Sequence, residues 1–169
     1  YAQVSTSETP PTPQQCYAAT TKRRCFSPQS LYAAYNITPL HDAGLTGKGR
    51  TIAVVDSYGS DTMAHDLHVY DQRMGLPPMC GEEGFTGAGC NPGMPTFSQL
   101  TLQGSPATKA PPGKSNGNGL EDKSAWALEV ALDVETAHSI APAANILLVT
   151  TPTAETLGER AGELVGHVL

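Results

Sequence analysis

The chain has 169 residues, 39% of them hydrophobic and 15% charged, with 17 glycines and 14 prolines. That length accommodates one domain, or a large piece of one, with a sizeable core, and the Gly/Pro content describes a loop-rich globular chain and excludes a helical bundle. Ten Lys and Arg stand against 16 Asp and Glu for a formal charge of -6, and the one dense basic run is Lys22-Arg23-Arg24, so the broad basic face of a nucleic-acid binder is absent, as is any apolar stretch near the ~20 residues of a membrane span.

Residues 1–30 read as an irregular arm, because Thr9-Pro10-Pro11-Thr12-Pro13 removes backbone donors and fixes φ. The first 15 residues are polar with no signal-peptide core, so in a secreted protein Tyr1 is expected to be a processed end. Cys16 and Cys25 form one local pair and Cys80 and Cys90 a second, each closing a loop of about ten residues. Two short loops of this kind predict two disulfides and an oxidising compartment. The alternatives are free thiols or a tetrahedral zinc site, but the spacings lack the Cys-x-x-Cys pairs of such sites.

Ser27 followed by Pro28 predicts an N-cap and first helical position, leading into a short helix through Tyr35. Gly44, Gly47 and Gly49 mark a turn before Thr51-Ile52-Ala53-Val54-Val55, an apolar, β-branched run that predicts a parallel strand covered on both faces. A dinucleotide-binding glycine loop would follow its strand and open a helix, and here the order is reversed. Asp56 ends the strand. Catalytic groups gather beyond the carboxyl ends of strands in open α/β sheets, which makes Asp56 a candidate site residue; the competing reading is a cap for the next helix.

Residues 61–74 predict a helix with apolar contacts from Met63, Leu67, Val69, Tyr70 and Met74, ended by Gly75-Leu76-Pro77-Pro78. Its His65, Asp66, His68 and Asp71 are expected to be exposed polar residues; the i, i+3 spacing of His65 and His68 also permits a metal reading, but solvated positions on a surface helix are the commoner outcome, and no metal is assigned. From Met79 to Lys123 the chain is expected to be mostly loop, with one strand at Phe97–Leu102 and a Gly/Asn/Pro-rich segment over 111–119.

Residues 124–140 predict the clearest helix, capped by Ser124 and ended by Ala141-Pro142. At 3.6 residues per turn Glu129 and Asp133 lie on one side, beside Trp126, Val130, Ala137 and Ile140, while Glu135 and His138 point elsewhere. Like charges at i, i+4 repel, and a proton shared between them makes an acid/base couple suited to acidic pH. A plain solvated acidic face is the alternative. A further strand is expected at Asn145–Val149.

The succession Ser27-Pro28-Gln29-Ser30-Leu31-Tyr32, Gly47-Lys48-Gly49-Arg50-Thr51-Ile52-Ala53-Val54-Val55-Asp56-Ser57-Tyr58-Gly59, Asp66-Leu67, Gly75-Leu76-Pro77, Trp126, Glu129-x-x-x-Asp133, Ala141-Pro142 and Ile146-Leu147-Leu148-Val149 resembles the opening of the sedolisin, or serine-carboxyl, peptidase domain over roughly residues 27–157. The resemblance implies an α/β, subtilisin-like fold with a mainly parallel sheet flanked by helices, secretion as a zymogen, and peptide hydrolysis at acidic pH. It implies Glu129 as the general base toward a serine, Asp133 as the residue that hydrogen-bonds and tunes it, and Asp56 in a supporting role. The domain layout expected is an arm over 1–30, the N-terminal portion of the peptidase domain over 31–157 and an atypical tail over 158–169.

The family's Gly-Thr-Ser nucleophile segment, its oxyanion-stabilising Asp and its calcium loop fall beyond the matched region. This chain is therefore expected to carry no cofactor itself, with calcium in the missing C-terminal part. Ser139 is the only serine after Asp133 and sits on the same helix. The tail Glu155–Leu169, with Gly158, Gly162 and Gly166, reads as at most a weak helix. The isolated chain is expected to be inactive and to need a complementary C-terminal chain, with peptides or proteins as substrates. Two alternatives remain. A Ser/His/Asp peptidase with Asp56 as triad acid needs a His-Gly-Thr helix start, which none of His41, His65, His68, His138 or His167 has. A truncated, non-catalytic remnant would serve as a binding or structural subunit.

Overall fold

The computed structural model describes residues 13–18, 22, 25–102 and 123–151. The 111–119 segment and the tail beyond 157 lie outside them. In chain order the elements are α1 (Pro13–Ala18), α2 (Pro28–Tyr35), α3 (Thr38–Asp42), β1 (Thr51–Ser57), α4 (Met63–Met74), β2 (Phe97–Thr101), α5 (Lys123–Ile140) and β3 (Asn145–Thr151).

The capping chemistry acts as the sequence predicts at α2. The Ser27 hydroxyl accepts from the Ser30 N–H at 3.3 Å, and the Ser30 hydroxyl lies 2.8 Å from the Ser27 N–H, a reciprocal box that closes two orphan donors. Two short helices were not expected: α1 interrupts the arm, with Pro13 at a position where no N–H is required, and five-residue α3 follows the left-handed Asn36. At the far end of the chain, α5 starts at Lys123, so Ser124 lies inside the helix and is not its cap.

The three strands are all parallel, in the order β1-β3-β2. Gly47 fixes their alignment. It has φ +82°, and a Cβ there would stand 2.9 Å from Ala144 Cβ, so only glycine lets the turn before β1 pack on the turn before β3. That contact brings the Thr46 carbonyl to the Ala143 N–H and the Arg50 carbonyl to the Asn145 N–H, starting the two strands in register at Thr51 and Asn145.

The core lies on one face of the sheet. Phe97, Ile146 and Leu148 point into it from β2 and β3, with Met63 and Leu67 from α4, Val130 and Val134 from α5, and Met79 from the loop after α4. Removing each such side chain from water stabilises the fold by about 1.5–3 kcal/mol. Both helices therefore cover the same face, although the chain moves two positions one way from β1 to β2 and one position back to β3. Two crossovers in opposite directions over one face have opposite hands, so one departs from the right-handed rule.

β1 differs from the expectation of a strand covered on both sides. It pairs only with β3, and its middle residues, Ile52 to Val55, are half-buried. The apolar run reports the strand correctly but belongs here to an edge of the described sheet.

Both cysteine pairs are disulfides, Cys16–Cys25 and Cys80–Cys90. Among the described residues no helix is long and apolar enough to cross a membrane. Replacing Cys80 and Cys90 together by serine is expected to lower stability by about 2–3 kcal/mol, read from the denaturant midpoint under oxidising conditions.

Candidate active site

The site begins where β1 ends. Residues two apart in a strand share a face, so Asp56 lies on the same side as Val54, the side covered by α5, with Thr150 as its register partner. The chain then turns sharply: Tyr58 has φ +60° and Gly59 φ +75°, and the Gly59 N–H returns to the Ser57 carbonyl at 2.7 Å. A Cβ on Gly59 would lie 2.8 Å from both Gln99 Nε2 and Thr150 Cγ2, so the turn fits against β2 and β3 only without a side chain. Asp56 is 7% exposed, and the cap of α4 is Thr62, so the capping alternative for Asp56 does not hold.

On α5, Val130 and Val134 are fully buried in the core and fix the roll of the helix. Glu129 and Asp133, one residue before each, are consequently placed one turn apart on an exposed flank. Asp133 borders an open groove of about 700 Å³ together with Leu132 and Thr136 of the helix and Ala53 to Val55 of β1. Trp126 is half-buried one turn earlier, edge-on to Tyr58 at 6.4 Å between centroids, and its indole N–H is buried without an acceptor.

Electrostatics tie these residues together. Burial pushes the Asp56 carboxyl up to about 7, with the charges of Asp133 and Glu129 adding to the rise and the Ser57 backbone N–H opposing it. Burial also raises Asp133 from its ordinary value. Three carboxyl groups thus share one neighbourhood at the carboxyl end of β1, and in mild acid Asp56 carries a proton there. Such a group can donate a hydrogen bond to an ionised neighbour while leaving that neighbour free to act as a base.

Other expected polar positions fall differently. Of the four α4 residues expected to be solvated, only His65 is exposed, paired with Glu83. Asp71 is 2% exposed and belongs to the interior, because α5 packs over it. His68 donates to Glu82 and accepts from Gln72, which engages both ring nitrogens. Among the described residues no cluster of three His, Cys, Asp or Glu has the arrangement of a metal site. Ser139 is fully buried. It donates to the Glu135 carbonyl at 2.7 Å and receives the Tyr70 hydroxyl at 2.9 Å, which leaves it neither access nor a base.

Glu135, which helical pitch only places away from Glu129 and Asp133, is a further perturbed ionisable group. Burial between α4 and α5 raises it to about 8, with Asp66 and Asp71 contributing like charge. The clue was present in the sequence, since helices carrying Asp66, Asp71 and Glu135 had to pack on each other, but periodicity alone could not say that they faced. Asp56, Asp71 and Glu135 are all raised, so each binds its proton more tightly folded than unfolded. The stability they lend is fully present below the unfolded carboxyl range of about 4 and is lost as pH rises from there through about 6 to 8. The melting temperature is accordingly expected to fall by several degrees between pH 5 and pH 8.5, and Glu135→Gln to flatten the upper part of that fall, measured by thermal denaturation.

Compared with protein-family models, with curated proteins and with solved structures, the chain finds no match in any of the three.

Proposed function

We propose that this chain supplies the acid/base half of a secreted serine-carboxyl peptidase of subtilisin-like fold, acting on peptides in acid. The observation that carries the reading is the placement of Glu129 and Asp133 one turn apart on α5, Asp133 across a groove from Val54 and Val55, beside the buried Asp56 that ends this parallel strand. In this reading Glu129 takes the proton of a serine hydroxyl as that oxygen attacks the scissile carbonyl, then returns it to the leaving amine. Asp133 holds and tunes Glu129, and Asp56 supports both from beneath.

The serine and the oxyanion donors come from a complementary segment, on this polypeptide or another. The β1 edge of the described sheet and the groove beside Asp133, with Leu132 55% exposed on its rim, offer that segment a strand-pairing edge and an apolar seat. The calcium implied by the resemblance would be held outside the described residues, and no step runs through it. The two disulfides agree with an oxidising, extracellular setting.

A second reading, a non-catalytic binding or structural subunit, is favoured by the burial of Ser139. Purification from the native source separates the two. A co-purifying segment with a Gly-Thr-Ser sequence and peptide hydrolysis near pH 4 support the peptidase; a complementary segment that binds without hydrolysis at any pH from 3 to 8 supports the subunit.

A further inference from the structure

A second group of ionisable side chains lies away from Glu129 and Asp133, between α4, α5 and the loop that carries the Cys80–Cys90 disulfide. Asp71 of α4 is 2% exposed, Glu82 of the loop 1% and His138 of α5 fully buried. Three such residues almost never meet in a protein interior unless they hold one another.

Their contacts run between elements. His138 Nε2 donates to the Pro77 carbonyl at 2.9 Å and stands 3.3 Å from Asp71 Oδ2, so its hydrogen is directed at the carbonyl and only grazes the carboxyl. Glu82 accepts the Met79 N–H at 2.9 Å through Oε2 and the His68 Nδ1–H at 3.1 Å through Oε1. Asp71 has neither oxygen in good hydrogen-bond geometry with a donor, and Glu82 is its hydrogen-bonding and like-charged neighbour. Two carboxylates side by side at this depth are not tolerated; one proton between them converts repulsion into a hydrogen bond.

We infer that Asp71, Glu82 and His138 form an acid-closed latch, in which a proton held between the two carboxyl groups pins the disulfide loop to the helix pair α4/α5. Glu82 is the loop's buried anchor and its acceptor for Met79, itself in the core, so the latch clamps a stretch that borders the sheet. Cys80 exchanges hydrogen bonds with Pro95 and Phe97 at the start of β2. When the proton leaves, the loop keeps its bonds to β2 and, through His68–Glu82 and the Glu83 N–H to the Ala64 carbonyl, to α4, but gains a repulsion between Asp71 and Glu82 that works against them.

The other charged groups near the latch do not supply the missing countercharge. On α4, His68 engages Glu82 through Nδ1 and Gln72 through Nε2, so both its ring nitrogens are taken up away from Asp71, while Asp66 is acidic and Tyr70 is bound to Ser139. On α5, Glu135 adds like charge. Arg73 lies on the groove between the helices, with Asp66 and Glu135. Burial, followed by the pull of His138 in the opposite direction and the push of Glu82, leaves Asp71 raised to about 6, which places the opening between mildly acidic and neutral pH. The latch is independent of the peptidase reading.

Amide hydrogen exchange of the full chain at pH 5 and pH 7.5, corrected for intrinsic rates, tests it. Above the pKa of such a group the protonated fraction falls tenfold per pH unit, so exchange at Met79 and Glu82 is expected to rise more than tenfold, while Val130 and Val134 change little. Asp71→Asn, whose amide donates to Glu82 without ionising, is expected to abolish the difference. Equal protection at both pH values in the wild type overturns the latch, as does an Asp71→Asn chain that keeps the full pH dependence. Should that variant not fold, the carboxyl carbon of Asp71 in the wild type is followed by NMR: titration between pH 5 and 7 supports the latch, and titration near 4 overturns it.

Discussion

Glu129→Gln is expected to lower peptide hydrolysis at pH 4 by about two to four orders of magnitude in the chain paired with its complementary segment, the range lost with a general base. The amide keeps the shape of the side chain and its capacity to accept a hydrogen bond but cannot take a serine proton. Glu129 is exposed and lies outside the core, so the melting temperature of the variant should match the wild type, which separates lost chemistry from lost folding. Asp133→Asn is expected to act in the same direction, because Asp133 is the residue proposed to orient the base. Asp56→Asn is different: it removes the buried proton carrier raised to about 7, so its expected signature is a shifted pH profile with part of the rate retained. Wild-type hydrolysis by both Glu129→Gln and Asp133→Asn would remove the assignment.

Gly81→Ala is expected to be the most damaging small substitution, at about 2–4 kcal/mol. Gly81 has φ +112°, and a Cβ there would lie 2.0 Å from the Phe97 carbonyl oxygen, well inside contact distance. Retreat is blocked on every side. The Gly81 N–H is bound to the Phe85 carbonyl at 2.8 Å, and the neighbouring Cys80 is bound to Pro95 and Phe97 at 2.8 Å each, so relief of the clash breaks the loop away from β2. Gly87 is the control. It has φ +54° but nothing within 4 Å of a Cβ, so Gly87→Ala should cost about 1 kcal/mol from backbone strain alone. Urea unfolding of the two variants under oxidising conditions reads the difference, and equal midpoints would mean that the close approach at Gly81 contributes nothing.

Local chemistry was readable from the residues themselves. The runs Thr51–Val55 and Asn145–Val149 are strands because β-branched and large apolar side chains fit a pleated, covered surface, and Ser27-Pro28 opens α2 because a hydroxyl satisfies an N–H where proline lacks one. The four cysteines paired as their spacing predicts. Glu129 and Asp133 fell on one flank because helical pitch puts them there. Asp56 ended its strand as expected, but its burial, and the charges it shares with α5, came only from the helix that lies over it.

What the sequence by itself determined, then, is every feature set within one or two turns of chain: the strands, the longer helices, the cysteine loops and the spacing of the carboxylate pair. Tertiary structure alone decided the strand order that leaves β1 at an edge of the described sheet, the packing of α4 and α5 on one face, the burial of Asp71, Glu82 and His138, and the half-burial of Glu135. The physical reason is that propensity and periodicity act between neighbours, whereas desolvation of a charge depends on what covers it. For Asp71 the cover comes from His138, 67 residues further along the chain, and no periodicity in either helix specifies that they meet.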